Sequence, residues 1–357
     1  MTFTIGTRTV SHDSPTYFIA DIAASHDGDL GRAVQLIELA AEAGADAAKF
    51  QNFHAEQIVS DRGFRELGTQ IGHQAAWERS VVDVYADASI PDEWTPTLKE
   101  ACDRAGIDYF SAPYDFGAID MLDPWVPAYK IGSGDLSWLE AVDRIASKGK
   151  PVLLATGASS FDEVVAAIDV IRRHTSDIVL MQCNTNYTGD LGNFSHIHLN
   201  VLNSYRAAFP DVVLGLSDHT PGHATTLGAI ALGARVVEKH FTDDTTRPGP
   251  DHGFSMDPET WREMVDRSRE LELALGSPVK RVADNEHDTV VIQRRALRVI
   301  RNLPAGHVLT RDDISVLRPA PRHAIGAAHV DEVVGRVLAS ELTRDAVIGW
   351  EDLTPAR

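Results

Sequence analysis

The sequence predicts an α/β protein, a (β/α)8 TIM barrel followed by a small β-rich domain. Over roughly the first 280 residues, eight short apolar runs alternate with amphipathic stretches of helical spacing. Each run has four or five residues, and several are rich in Val and Ile, as is typical of parallel strands buried on both faces. The runs span residues 17–20, 47–50, 108–111, 128–131, 152–155, 178–182, 213–216 and 236–239. An open, doubly wound sheet is the alternative arrangement for the same alternation.

The stretches between the runs have the features of helices that pack outside a sheet. One apolar face, with the spacing i, i+3, i+4 and i+7, is formed by Ala33, Leu36, Ile37 and Ala40. Ser160 and Glu163 have the spacing of a capping box, and Asp257 before Pro258 is a typical helix start. We therefore expect a helix after each strand.

The pattern changes near the end of the last predicted barrel helix. Residues 276–288 are polar and lack periodicity, and the remaining chain carries short apolar runs separated by turn signals such as that at 304–306. We predict a barrel domain over residues 1–280, a linker over 281–290 and the small β-rich domain over 291–357.

Composition excludes several classes of partner. The chain has 33 Lys and Arg against 52 Asp and Glu, a net charge of −19, whereas binders of nucleic acid or anionic membranes need a basic face. Two cysteines, Cys102 and Cys183, are too few for a disulfide framework, which indicates a reducing cytoplasm. The first twenty residues lack the pattern of a signal peptide, and no apolar stretch approaches the ~20 residues of a membrane span.

Two lysines stand at the ends of apolar strands. Lys49 lies near the end of the second run, and Lys130 lies in the fourth, just before a Gly-Ser-Gly turn whose backbone N–H groups can approach an anion. Because strand ends converge at the mouth of a barrel, the pair predicts a phosphate or carboxylate site. A Schiff base between a lysine and a carbonyl substrate is the alternative chemistry, and a lysine that reaches solvent is the structural one.

Two histidines follow the seventh and eighth runs at matching positions. His219 and His240 follow two strands that we expect to be neighbours. Neighbouring strands lie ~4.8 Å apart, so both imidazoles can reach one ion. Two histidines with open positions suit a catalytic divalent metal such as Mn, Zn or Fe. A single histidine here would more often be a satisfied core residue, so the matched pair carries the prediction. Asp21, at the end of the first run, is a candidate general base or hydroxyl ligand, with a turn-forming role as the alternative.

These segments together resemble the N-acetylneuraminate (sialic acid) synthase family over nearly the whole chain. The motifs that carry the resemblance are Lys49-Phe50-Gln51, the stretch Tyr-Lys-Ile-Gly-Ser-Gly-Asp at 129–135, Gly-Leu-Ser-Asp-His-Thr at 215–220, Glu-Lys-His-Phe at 238–241 and Gly-Pro-Asp-His at 249–252. The tail is similar to the antifreeze-like (SAF) domain of this family at 294–297 and 317–319.

The resemblance implies condensation of phosphoenolpyruvate with the aldehyde of an open-chain sugar such as N-acetylmannosamine, with release of phosphate. It implies a divalent metal, with Mn expected and Mg, Co, Zn or Fe compatible, held by His219 and His240. The implied catalytic residues are Asp21, Lys49, Lys130, His219 and His240. The implied ligands of phosphoenolpyruvate are Lys49, Lys130, Ser133, Asn186 and Ser217. The residues implied to face the sugar are Gln51, Asp135, Tyr187 and Asp251. The resemblance also implies a domain-swapped homodimer, in which Arg318 of one subunit reaches the sugar held by the other.

Several positions depart from the family pattern. Asp21 and Asp135 stand where glutamates are usual, and Ala112 and Ala155 lack hydroxyls that normally help hold the phosphate. A lost hydrogen bond to a charged group costs ~1.5–3 kcal/mol. Two further functions therefore stay open, a metal-dependent pyruvate aldolase and a non-catalytic protein that binds sugar acids. Sugar specificity is expected to depend on loop contacts such as those of residues 61–77.

Overall fold

The computed structural model describes residues 2–67 and 79–355, so part of the predicted specificity loop, 68–77, lies outside the described residues. The chain divides into two compact units, Met1–Gly276 and Ser277–Arg357. The predicted linker falls within the second unit. Among the described residues, no helix combines the length and the apolar character that a membrane crossing requires.

The first unit contains a hairpin and an eight-stranded barrel, which confirms the predicted fold class. Strands β1 (Thr2–Ile5) and β2 (Arg8–Ser11) pair antiparallel. The barrel strands are β3 (Tyr17–Asp21), β4 (Ala47–Asn52), β5 (Asp108–Pro113), β6 (Tyr129–Ile131), β7 (Val152–Ala155), β8 (Ile178–Cys183), β9 (Val213–Asp218) and β10 (Ala234–His240). They form a parallel sheet in the order β5-β4-β3-β10-β9-β8-β7-β6, and β5 lies beside β6 at the closure.

Helices follow the strands and cover the outside of the barrel. They are α1 (Leu30–Glu42), α2 (Ala55–Ile58), α3 (Asp61–Glu66), α4 (Val81–Ala88), α5 (Thr95–Ala105), α6 (Phe116–Leu122), α7 (Leu139–Ala146), α8 (Phe161–Ile171), α9 (Val201–Ala208), α10 (Ala224–Ala231) and α11 (Pro258–Leu275). The predicted apolar face of α1 is buried. The Ser160–Glu163 capping box forms, and the Asp257 side chain accepts a hydrogen bond from the Thr260 backbone at the start of α11.

Alternation along the barrel strands divides the interior into an apolar layer and a polar layer. Side chains at every second position face inward. A buried apolar cluster fills the lower layer, and Phe3, Ile5 and Val10 of the hairpin belong to the same cluster and close that end. Two positions further along the same faces of three strands, Ile19 is followed by Asp21, Ala47 by Lys49 and Val236 by Glu238. The alternation therefore places the charged side chains in the barrel interior at the carboxyl ends of the strands.

The second unit has its own core and little regular structure. It contains α12 (His287–Gln293), β11 (Ala296–Val299), β12 (Ile314–Leu317) and α13 (Val330–Val333). β11 and β12 pair antiparallel, and isolated bridges such as Val308–Val337 tie the remaining segments together. Eleven apolar side chains form a separate buried cluster in this unit.

Candidate active site

The carboxyl ends of the strands surround a cavity of about 400 Å³. The predicted site residues that line it are Asp21, Lys49, Gln51, Lys130, Ser133, Asp135, Tyr187, Ser217, His219, His240 and Asp251. Asn186 is exposed and is not among the lining residues; its Oδ1 accepts a hydrogen bond from the Thr188 backbone N–H at 3.2 Å. Its predicted contact with phosphoenolpyruvate stays a prediction.

Both strand-end lysines are buried and held by carboxylates. The Lys49 Nζ lies 2.6 Å from Asp21 Oδ2, and the Lys130 Nζ donates to Glu238 Oε1 at 3.0 Å. The same Glu238 oxygen lies 4.0 Å from Lys49 Nζ and accepts from the Ser217 hydroxyl at 3.2 Å. All of these side chains are 5% exposed or less apart from Ser217, whose whole-residue exposure is also low. Glu238 therefore bridges the two lysines.

The ion pairs favour the charged forms of Lys49 and Glu238 despite their burial. Burial alone lowers the pKa of Lys49, but the Asp21 and Glu238 carboxylates outweigh it, so the pKa lies above its usual value. Burial alone raises the pKa of Glu238, but Lys130 and Lys49 outweigh it and lower the pKa to about 2. At Asp21, burial outweighs the neighbouring Lys49, so the pKa of this carboxyl lies above its usual value.

Sequence reasoning missed Glu238 as a site residue. The signal was present, because Glu238 precedes His240 by two positions and therefore faces the same side of β10. A charged residue on the inward face of a buried strand requires a partner of opposite charge. The two lysines already identified supply that partner.

The predicted histidine pair lies side by side in the cavity. The imidazole centroids of His219 and His240 are 5.4 Å apart. Burial is the main cause that lowers the pKa of each to about 3, so both rings are neutral at pH 7. His219 Nδ1 lies 2.9 Å from the Asn184 carbonyl oxygen, and donation of its proton there leaves the Nε2 lone pair free. Neutral imidazoles with a free nitrogen are the ligands that divalent transition metals prefer.

The two histidines do not form a complete metal site by themselves. Within residues 2–67 and 79–355, no three His, Cys, Asp or Glu side chains come together in a metal-binding cluster. Asp21 Oδ2 lies 3.5 Å from His240 Nε2, and the buried His240 Nδ1 has no hydrogen-bond partner in the described part of the chain. Two adjacent neutral imidazoles fit a divalent ion, which His219 and His240 would hold.

A second buried ion pair stands directly behind the histidines. Lys239 Nζ lies 2.5 Å from Asp218 Oδ2 and donates to the Thr220 carbonyl oxygen at 2.6 Å. Asp218 and Lys239 are paired in the β9–β10 register. Because each is adjacent in sequence to one of the histidines, this pair joins the two strand ends that carry the imidazoles.

The turn after β6 contributes a hydroxyl and a carboxyl group. Ser133 Oγ accepts a hydrogen bond from Gly157 N–H at 2.9 Å, and a Cβ on Gly157 would lie only 2.9 Å from that oxygen, so the close approach requires glycine. The Asp135 carboxyl group lines the cavity, and burial raises its pKa to about 6. Ala112 and Ala155, the positions without the usual hydroxyls, are buried.

The loop after β10 supplies Asp251. Its Oδ2 accepts from the Ala24 backbone N–H at 2.9 Å, and burial raises its pKa to about 6. His252, next to it, is fully buried and contacts Asp27 at 3.0 Å, which ties this loop to the loop after β3. A wider cavity of about 1090 Å³, lined in part by Ala24, Tyr187 and Pro250, lies alongside and shares these residues with the smaller one.

Arg318 belongs to the second unit. It is exposed, and its Nε donates to the Gln293 carbonyl oxygen at 2.7 Å. Its predicted role at the site of a partner subunit stays a prediction.

Comparisons with known proteins agree with this architecture. A model of the NeuB family matches residues 36–280, and a model of the SAF domain matches residues 294–354. The chain is 34% identical to an uncharacterised protein of Methanocaldococcus jannaschii, over 98% of both chains. It is 32% identical to the N,N'-diacetyllegionaminic acid synthase of Legionella pneumophila, over 94% of both chains. The solved N-acetylneuraminic acid synthetase of Leptospira borgpetersenii is 25% identical, with a TM-score of 0.72 over 81% of this chain and 95% of that one.

Proposed function

The chain belongs to the NeuB family, and we propose that it condenses phosphoenolpyruvate with the aldehyde group of an open-chain sugar to give a nonulosonic acid and phosphate. One observation carries the proposal: two buried lysines, bridged by Glu238, share a cavity with two neutral imidazoles. The lysines supply cations for the phosphorylated acid, and the imidazoles supply nitrogen ligands for a metal.

The charge balance of the cavity supports a divalent metal. The charges of Lys49 and Lys130 are cancelled by Asp21 and Glu238, and a pKa of about 6 leaves Asp135 and Asp251 largely ionised at neutral pH. Phosphoenolpyruvate, which carries up to three negative charges, would add to this excess. A divalent cation held by the two histidines offsets it, with Mn proposed and Mg, Co, Zn or Fe compatible.

When bound, such a metal supplies a Lewis acid that polarises and orients the aldehyde oxygen. The residues of the chain bind and orient phosphoenolpyruvate through their positions and charges. Lys49 and Lys130 hold the anionic oxygens of phosphoenolpyruvate, with Ser133 and Ser217 beside them, so that its C3 faces the aldehyde carbon. C3 attacks that carbon as the C2–C3 double bond opens, and the aldehyde oxygen takes up a proton to become a hydroxyl. Water adds to the resulting cation at C2 and loses a proton, and the C–O bond to phosphate then breaks, which leaves a carbonyl at C2 and releases phosphate.

The acidic side of the cavity is assigned to the sugar. Gln51, Asp135, Tyr187 and Asp251 offer hydrogen-bonding groups for hydroxyls, and the wider cavity alongside gives room for a long acceptor. Asp21 is engaged with Lys49 at 2.6 Å, which supports a role in positioning the lysine more than the role of a free general base. We assign specificity among sugars to the segments that carry these four residues.

Release of phosphate from phosphoenolpyruvate tests the proposal. The wild-type protein, with Mn and a pool of amino-sugar and aldose aldehydes, should release phosphate and form a product that mass spectrometry identifies as the sum of the two carbon skeletons. His219→Ala and His240→Ala should abolish turnover, whereas His174→Ala, which alters an exposed histidine paired with Asp143, should not. The absence of phosphate release with every aldehyde would refute the proposal.

A pyruvate aldolase is the second candidate, because Ala112 and Ala155 present methyl groups at buried positions where the family pattern has hydroxyls. Fewer donors for a phosphate favour a substrate that lacks one. Parallel assays with pyruvate and with phosphoenolpyruvate discriminate the two functions. A product formed from pyruvate alone would identify the aldolase, and binding of sugar acids without turnover of either donor would identify a non-catalytic protein.

We also propose a domain-swapped homodimer in the cytoplasm, in line with two free, buried cysteines. Mixing two inactive variants tests the swap. In a mixed dimer, the barrel of an Arg318→Ala subunit receives an intact arginine from a His219→Ala subunit, so activity should return that neither variant has alone. No recovery in mixed dimers would show that Arg318 does not act across subunits.

A further inference from the structure

Tyr114 occupies a position between the two lysine strands. β5 is hydrogen-bonded to β4, which carries Lys49, and lies beside β6, which carries Lys130. Inward positions alternate along β5, so Ala112 faces the barrel interior and Tyr114, one residue past the end of the strand, lines the cavity. An anion held by both lysines therefore lies next to the inward face of β5.

The hydroxyl of Tyr114 lies close to Gly132, where a side chain would crowd it. The Tyr114 oxygen lies 3.3 Å from the point where a Cβ on Gly132 would stand, and Asp135 Oδ2 lies 3.6 Å from the same point. The ring is fixed edge-on against Phe53, with centroids 5.8 Å apart and planes at 89°. The Tyr114 backbone N–H donates to the Asn52 carbonyl oxygen at 3.1 Å, which fixes the base of the side chain.

This hydroxyl has a proton to donate and no acceptor among the described residues, since no hydrogen bond of Tyr114 Oη is formed within them. Burial raises the pKa of Tyr114 well above its usual value, and the negative charges of Asp135 and Asp21 add to the effect. The phenol therefore stays protonated at any pH at which the protein works. A protonated hydroxyl held in a cavity built around two ammonium groups is placed to donate to an anion.

The neighbouring side chain explains why the donor matters. Ala112, directly below Tyr114 on the same face, offers only a methyl group, so that face of the strand provides no side-chain donor except the phenol. We propose that the Tyr114 hydroxyl is a further substrate-binding group that donates a hydrogen bond to an anionic oxygen of phosphoenolpyruvate, an inference that rests on the proposed function.

Equilibrium binding of phosphoenolpyruvate, without an aldehyde, tests the proposal. Tyr114→Phe should raise the dissociation constant about 10- to 100-fold, the range expected for a lost hydrogen bond to a charged group. Tyr109→Phe is the matched control, because Tyr109 lies on the same strand but faces outward, stacked on Phe50. It should bind as the wild type does, and thermal melting of both variants verifies that each is folded.

Two fragments of the substrate then identify the end that Tyr114 contacts. Inorganic phosphate and pyruvate are titrated separately, and the fragment whose affinity falls in Tyr114→Phe carries the contacted oxygen. If Tyr114→Phe binds phosphoenolpyruvate and both fragments within twofold of the wild type, the role assigned to Tyr114 is wrong while the proposed function stands. If the wild-type protein itself does not bind phosphoenolpyruvate, the proposed function fails and the inference fails with it.

Discussion

Replacing Glu238 by Gln removes the negative charge that bridges the two buried lysines while it keeps the size of the side chain. Its pKa falls from 4.5 to about 2 in the folded protein. A difference of about 2.5 units, at about 1.4 kcal/mol per unit, corresponds to about 3 kcal/mol of stability. Because the folded-state pKa is depressed, this contribution is present above pH 4.5 and is lost as the pH falls towards 2. At pH 7 we therefore expect Glu238→Gln to lower the free energy of unfolding by about 3 kcal/mol.

Urea unfolding at pH 7, followed by circular dichroism, measures this loss. Asp120→Asn is the control, because Asp120 also has a pKa lowered to about 2, by Arg144 and Lys148, but is exposed to solvent. Screening by water and salt should leave its unfolding midpoint unchanged. A loss below about 1 kcal/mol in Glu238→Gln would refute the view that burial makes this ion centre strong.

The same variant should change substrate affinity in the opposite direction. Without the carboxylate, the cavity gains one unit of positive charge, so phosphoenolpyruvate should bind more tightly although the protein is less stable. Isothermal titration measures this affinity. Weaker binding would mean that Glu238 acts mainly by holding Lys130 in place and not through its charge.

Three further predictions concern other parts of the molecule. Asp135→Asn should stabilise the protein by about 3 kcal/mol at pH 7, because the Asp135 pKa, raised from 3.8 to about 6, makes folding less favourable as the pH rises through that window. The gain should vanish below pH 4. The same difference in urea midpoint between variant and wild type at both pH values would contradict this prediction. Asp218→Asn should cost about 3–5 kcal/mol because it leaves Lys239 buried and unpaired, whereas a double variant with Lys239→Met should recover most of that loss in the same assay. Deletion from Val291 onward should leave a folded barrel by thermal melting but abolish phosphate release, and full activity would show that the second unit is dispensable.

The barrel could be predicted because each strand is buried on both faces and therefore reads as a continuous apolar run. β7, for example, spans Val152–Ala155, as expected. The hairpin at residues 2–11 was missed, although Phe3 and Ile5 alternate with polar residues and Gly6 adopts φ +56° in the turn. Alternation over so few residues is a weak signal on its own. The strands of the hairpin are held by burial against the lower layer of the barrel. This contact joins residues far apart in sequence, so a local pattern does not reveal it.

The position of the candidate site was predicted, but the ion pairs that connect its residues were not. Lys49, Lys130, His219 and His240 follow from their places at strand ends, since a barrel brings such ends together. The bridging role of Glu238 depends on which faces of β4, β6 and β10 point inward across the barrel, and those strands are far apart in sequence. The role predicted for Arg318 likewise depends on long-range contacts that no local sequence pattern indicates.

The ion centre explains how a strongly acidic protein with two buried lysines can be stable before it meets a substrate. Unpaired, Lys49 and Lys130 would each be costly to bury, and two like charges would repel each other. Asp21 and Glu238 remove that cost, but they also cancel the positive charge that an anionic substrate needs. Affinity for a phosphorylated acid must then come from groups that contact the substrate or a metal without charging the empty cavity. The imidazole pair and uncharged hydroxyl donors such as that of Tyr114 are such groups, because they stabilise a bound anion or metal without adding charge to the empty cavity.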